Sequence, residues 1–252
     1  MLASAAVALI SFTLIASAVY LVNDVCDQER DRLHPRKRLR PIASGRLPRS
    51  WAIRGAACAV AAGFGLAAAT HQGELAWVLA GYLGISLAYS VWLKNLPVVE
   101  LLIVAYGFVW RPVAGAEATG IAASGWFLAV CCFAALAVAI GKRYSEITRL
   151  DNAATQHRRS LRAYRPAALR VARRVASLAT VACYCGWAVS RRAGLPMTVA
   201  LVSALPLAAA LDRYGGCNER GLGGAPEDLI ADRPLQIAGV VWLALFSSIS
   251  HV

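Results

Sequence analysis

Apolar blocks about one bilayer thick recur along this 252-residue chain, and they restrict it to a helical bundle crossing a membrane. Eight spans are predicted, at about residues 3–22, 52–70, 75–93, 97–117, 124–141, 167–189, 195–211 and 234–250. At 58% hydrophobic and 16% charged residues, the chain is too apolar for a soluble domain. Small residues such as Gly63 and Gly65, within the Ala-rich stretch from Gly55 to Ala69, supply surfaces on which membrane helices pack closely. The fold class is therefore all-α, a polytopic bundle, with residues 1–252 forming one integral-membrane domain.

The net charge of +12 does not point to nucleic acid, because the basic residues are interspersed with spans. It orients the bundle instead. If the end of the first span near residue 23 faces the cytoplasm, so do 23–54, 94, 142–174 and 213–233, and of 26 Lys and Arg only Arg111, Arg191 and Arg192 lie elsewhere. In this orientation loops 23–51, 142–166 and 212–233 are expected to form a cytoplasmic mouth. Ala16-Ser17-Ala18 imitates a signal-peptidase site, but its apolar run is too long and continues into a polar helix, so no cleavage is expected. The seven cysteines show no metal-ligand spacing and mostly fall inside spans, as small buried apolar residues do.

Asn23, Asp24, Asp27 and Asp31 follow directly on the first span, and their steps of three and four put them on one helical face. Such a face repels itself unless a cation neutralises it. Hard carboxylate oxygens suit Mg²⁺, which takes further ligands from waters and phosphate oxygens, so a phosphorylated substrate is implied. Pro35 should end this helix, and Lys37, Arg38 and Arg40 then fold back as a basic loop suited to phosphate or to anionic lipid. Lys94 returns to the same side of the membrane, where it can snorkel. Arg111 lies about 16 Å along its helix from Glu100, deep in the bilayer, and needs a lipid phosphate, an internal partner or a backbone carbonyl.

Lys142, Arg143, Tyr144 and Glu146 close the fifth span as the carboxylates close the first, suggesting two pseudo-equivalent halves. Between Asp151 and Arg174, with Arg158, Arg159, Arg162 and Arg165, a basic surface-lying helix is expected. The run Gly221 to Gly224 reads as flexible. Glu227 and Asp228 read as helix-capping acids, and Asp228 and Asp232, four apart, are also placed to line the mouth.

With these motifs in view, the chain resembles the UbiA superfamily of intramembrane prenyltransferases. The resemblance rests on Asn23-Asp24-x-x-Asp27-x-x-x-Asp31 and Tyr89-Ser90-x-x-Leu93-Lys94. Within that superfamily, His34-Pro35-x-Lys37-Arg38-x-Arg40-Pro41, Gly141-Lys142-Arg143-Tyr144-x-Glu146 and Pro226-Glu227-Asp228-Leu229 are similar to the decaprenyl-phosphate phosphoribosyltransferase branch. The second aspartate-rich motif usual in aromatic prenyltransferases is replaced by Glu146 and its cationic neighbours. The family normally has nine spans, so the resemblance implies that the first is absent here.

The resemblance further implies transfer of 5-phosphoribosyl from phosphoribosyl diphosphate to a polyprenyl phosphate, releasing diphosphate, for cell-wall arabinan (arabinogalactan) precursors. Asp24, Asp27 and Asp31 would act as catalytic metal ligands for Mg²⁺, with Mn²⁺ as a substitute ion. Asn23, Lys37, Arg38, Arg40, Lys94, Arg111, Lys142, Arg143, Tyr144 and Glu146 would bind substrate. Expected partners are the two substrates and the bilayer, and a homo-oligomer is compatible. Two rivals carry different expectations: a prenyl diphosphate donor with an aromatic acceptor, or a transporter using Glu100 and Arg111 as a pathway.

Overall fold

The computed structural model describes residues 2–33, 37–69, 73–150, 163–191, 196–224 and 229–250, and all regular structure among them is helical. Among the described residues six helices are long and apolar enough to cross a membrane, which makes this a multi-pass membrane protein. The chain divides into two compact units, residues 1–123 and 124–252.

The first unit holds α1 (Leu2–Leu33), α2 (Arg49–Ala68), α3 (Gly73–Val91) and α4 (Val99–Thr119). At 32 residues, α1 is about 48 Å long, whereas an apolar bilayer core needs only about 20 residues. Its last dozen residues, carboxylates included, therefore stand beyond the apolar slab. Phe12, Ile15 and Val19 of α1 are buried against Leu75, Leu79 and Tyr82 of α3 and Ala114 and Ala118 of α4. A Cβ on Gly63 of α2 would lie 3.1 Å from the Ile15 side chain, so the glycine lets these two helices approach. Gly120 ends α4 in the left-handed conformation at φ 69°. Val98, before α4, has φ 65°, an uncommon value for a β-branched residue.

The second unit holds α5 (Gly125–Leu150), α6 (Pro166–Arg191), α7 (Met197–Val202), α8 (Ala204–Glu219) and α9 (Arg233–Ser250). Helices α7 and α8 together make one span of 23 residues, Met197–Glu219. They are parted at Ser203, where Pro206 cannot donate to Val202 and its ring crowds that carbonyl. The predicted spans 167–189 and 234–250 fall on α6 and α9. Helix α6 is long but interrupted by Arg170, Arg173 and Arg174, and the apolar stretch of α9 is the shorter Arg233–Ile249. The core is aromatic: Trp187 stacks on Phe246 at 4.7 Å between centroids, and Tyr184 lies 5.9 Å from Trp242. Both units place a polar helix end on their first helix and a short 3-10 turn after their third span, Leu93–Asn95 and Leu222–Gly224.

Candidate functional site

In the first unit the carboxylate face is neutralised by two cations. The Arg40 Nη1 donates to Asp24 Oδ1 at 2.7 Å and to Asp31 Oδ2 at 2.9 Å. Lys94 Nζ donates to Asp27 Oδ1 at 2.7 Å and to Asn23 Oδ1 at 3.3 Å. One helical face thus divides into two sets, Asp24 with Asp31 and Asn23 with Asp27, each gathered on one cation. Asp31 and Lys94 are buried, and Asp24 and Asp27 are partly exposed.

The basic loop is fixed by its own backbone. The helix ends at Leu33, before Pro35 as expected, and the 3-10 turn Lys37–Leu39 leads to Arg40. Gln28 Nε2 donates to the Ile42 carbonyl at 3.1 Å, and Arg32 Nε donates to that of Ala43 at 3.1 Å. Ile42 is buried with Val25 and Ala52, so an apolar anchor holds the loop against α1. Gly45, at φ 81°, turns the chain back toward α2. Arg38 is exposed and Lys37 partly so, and residues 34–36 lie outside the described residues.

Arg111 is not brought to this cluster. Its Nη1 donates to the Gly107 carbonyl at 2.8 Å, and its guanidinium lies 4.7 Å from the Phe108 ring centre and 5.5 Å from that of Phe12. Phe12 precedes Asp24 by about 18 Å of helix. A backbone carbonyl, one of the partners open to Arg111 from sequence, thus accepts from it. Glu100 is fully buried at the start of α4.

In the second unit, Arg143 is ion-paired with Glu146 one turn on. Tyr144 is buried and its hydroxyl accepts from Arg170 Nη2 at 2.9 Å. Lys142 is exposed. Next to these lies a polar knot that the sequence did not disclose. Ser145 Oγ donates to Asn218 Oδ1 at 2.9 Å, and Tyr214 OH donates to the Val138 carbonyl at 2.9 Å. Arg213 binds Asp232 through Nη2 at 2.8 Å and Nε at 3.0 Å. Asp232 Oδ1 also accepts the Leu235 N–H at 3.0 Å, so Asp232 caps the start of α9. Asp228 and Glu227 fall outside the described residues, as do Arg158, Arg159 and Arg162 of the expected surface helix.

The glycine run after α8 is held, not loose. A Cβ on Gly223 would lie 1.5 Å from Asn218 Oδ1, and one on Gly141 would lie 2.5 Å from Asn218 Nδ2. Glycine at both places lets the Asn218 amide sit between α5 and the 3-10 turn. Only the repeated glycines, taken as close-approach positions rather than as flexible ones, could have signalled this.

Among the described residues no three His, Cys, Asp or Glu side chains group as a ready metal cluster. Mg²⁺ does not require one, since it commonly takes one or two carboxylates and completes its shell with water and substrate phosphates. The single nitrogen of Arg40 that touches both Asp24 and Asp31 marks a point where a cation is already held by two carboxylates. The donor set fits a hard divalent ion.

Residues 2–217 match the model of the UbiA prenyltransferase family. The chain is 38% identical over 242 residues to the decaprenyl-phosphate phosphoribosyltransferase of Corynebacterium glutamicum, covering 94% of this chain and 73% of that one. It is 38% identical over 244 residues to the enzyme of the same name from Mycobacterium tuberculosis, covering 96% of this chain and 80% of that one. In fold it is similar to a UbiA homolog from Archaeoglobus fulgidus bound to GPP and Mg²⁺, with a TM-score of 0.73 and 18% identity over 100% of this chain and 89% of the other. By the family match over residues 2–217 and these identities, the chain belongs to the UbiA prenyltransferase family.

Proposed function

We propose that the protein transfers the 5-phosphoribosyl group of phosphoribosyl diphosphate to a polyprenyl phosphate such as decaprenyl phosphate, releasing diphosphate. The observation that carries this reading is the interleaving of Asp24, Asp27 and Asp31 with Arg40 and Lys94. A donor bearing both a diphosphate and a separate phosphate needs carboxylates for a metal and cations for phosphate oxygens. The relatives named above carry the same activity in their names.

In this reading Asp24, Asp27 and Asp31 hold Mg²⁺, with Mn²⁺ as a substitute. When bound, the ion neutralises the diphosphate and so makes it a better leaving group. Arg40 and Lys94 exchange their carboxylates for phosphate oxygens, with Lys37, Arg38, Lys142 and Arg143 as further cations. Arg is suited to bidentate contact and Lys to a point charge. Asn23, Tyr144 and Glu146 orient the ribose hydroxyls. Arg111, held on Phe12 and Phe108, lies along the apolar part of α1 and serves the lipid acceptor. The acceptor is already an anion and needs no strong base, so the chain contributes positioning and stabilisation of positive charge as the anomeric bond breaks. The enzyme works in a bacterial plasma membrane with this site on the cytoplasmic face, as one domain.

A second reading, prenyl transfer from a prenyl diphosphate to an aromatic acceptor, is favoured by the fold it shares with the homolog bound to GPP. The donor separates the two. Membranes containing the protein, given Mg²⁺, labelled phosphoribosyl diphosphate and decaprenyl phosphate, should yield a labelled lipid that disappears with EDTA. Label appearing only from a prenyl diphosphate would replace the first reading by the second.

A further inference from the structure

Arg40 holds the carboxylate face through one atom. Its Nη1 alone bridges Asp24 Oδ1 at 2.7 Å and Asp31 Oδ2 at 2.9 Å, joining two carboxylates that stand about two turns apart on α1. Asp31 is buried, so its charge needs a cation beside it, and among the described residues Arg40 is that cation. The oxygens that Arg40 engages belong to two of the residues assigned above to the metal. Like charges repel strongly at such a distance, so Arg40 and a metal ion are alternatives at that point.

Arg40 is also built to leave. Its side chain is 39% exposed, against 7% for Lys94, so of the two cations Arg40 is the freer to swing outward. The backbone that carries it is pinned: the Arg40 N–H donates to the Lys37 carbonyl at 3.0 Å, and the Arg40 carbonyl accepts from the Ser44 N–H at 2.9 Å. Arg46 Nη2 donates to the Leu39 carbonyl at 2.7 Å on one flank, and Gln28 holds the buried Ile42 on the other. Departure is therefore a rotation of one side chain and not a movement of the loop. The Nε and Nη2 of Arg40 donate to nothing among the described residues, and that edge of a guanidinium can grip two phosphate oxygens at once.

We propose that Arg40 is a resident counter-cation that competes with the metal for Asp24 and Asp31, and that it gives them up readily only when a diphosphate receives it. Metal and diphosphate then bind as a coupled pair. The metal alone binds weakly, because Arg40 must abandon two carboxylates with no new partner; a diphosphate supplies that partner, and by linkage each ligand strengthens the other. This role rests on the metal ligands assigned above and not on the identity of the donor's sugar.

The test titrates the purified full chain in detergent with Mn²⁺ alone and counts the free ion by electron paramagnetic resonance. Arg40→Gln should bind Mn²⁺ about tenfold more tightly than the parent, whereas Arg40→Lys, which keeps a cation there, should stay close to the parent. Mn²⁺ should also raise the thermal midpoint of Arg40→Gln more than that of the parent. With Mn²⁺ saturating, labelled inorganic diphosphate should bind Arg40→Gln about tenfold more weakly. Mn²⁺ binding by Arg40→Gln no tighter than the parent's would overturn the proposal, as would undiminished diphosphate binding. Adding Asp24→Asn to Arg40→Gln should cancel the gain in Mn²⁺ affinity; a gain that survives would remove the metal assignment and the proposal together. If Asp24→Asn weakens Mn²⁺ binding in the parent while Arg40→Gln does not strengthen it, the metal ligands stand and the competition alone fails.

Discussion

Lys94 Nζ lies 2.7 Å from Asp27 Oδ1, although the two residues are separated by 67 positions in the chain. The contact ties the turn after the third helix to the polar end of the first. Lys94 is buried, so losing Asp27 takes away a charged partner where little water can replace it. Asp27→Ala should therefore lower the thermal midpoint as well as abolish transfer. Adding Lys94→Gln to Asp27→Asn should restore the midpoint without restoring transfer; recovery of activity in that double variant would show that the two residues serve only the fold.

Asp24→Ala isolates chemistry from stability. Arg40 keeps Asp31 at 2.9 Å when Asp24 is lost, so no unpaired cation is created. Turnover should fall at least 100-fold, while membrane insertion and thermal midpoint stay close to those of the parent. Near-normal turnover, measured with labelled phosphoribosyl diphosphate, would remove Asp24 from the proposed metal site.

The membrane fold was legible because apolar blocks of span length and the steps of Asn23, Asp24, Asp27 and Asp31 are local properties of sequence. The polar ends of both first helices could be located in this way, as could the end of α1 before Pro35. Which cation meets which carboxylate was not legible. Lys94 reaches Asp27 through tertiary packing, and Arg40 reaches Asp24 and Asp31 because Ile42 anchors its loop. Arg111 was legible as a charge deep in a span that needs a partner, but that a carbonyl of its own helix accepts from it beside two aromatic rings depends on packing. The Asn218 knot was hidden because glycines that permit close approach look the same in sequence as glycines that permit motion.

Asp232 sets a pH dependence. Hydrogen bonds from Arg213 hold its carboxyl down at about 2, below the ordinary value of 3.8. A depressed carboxyl contributes stability that is fully present above the unfolded pKa and is lost as pH falls through the folded one. The difference in thermal midpoint between the parent and Asp232→Asn should be constant from pH 7 to about 5 and shrink between about 4 and 2. A difference that persists unchanged at about pH 2 would mean that the ion pair is not its source.

Gly223 tests the polar knot in the second unit. A Cβ there would fall 1.5 Å from Asn218 Oδ1 and 2.8 Å from Ser145 Oγ. Asn218 is fully buried and accepts from Ser145, so its amide cannot swing away without losing that bond. Retreat on the other side is closed by α5, where the Gly141 backbone approaches Nδ2. Overpacking of this kind costs about 1–3 kcal/mol, and Gly223→Ala should lower the thermal midpoint accordingly. Asn218→Ala removes the obstructing amide, so the double variant should be more stable than the sum of the two single losses predicts. Strictly additive losses, measured by thermal unfolding in detergent, would show that Gly223 and Asn218 do not touch.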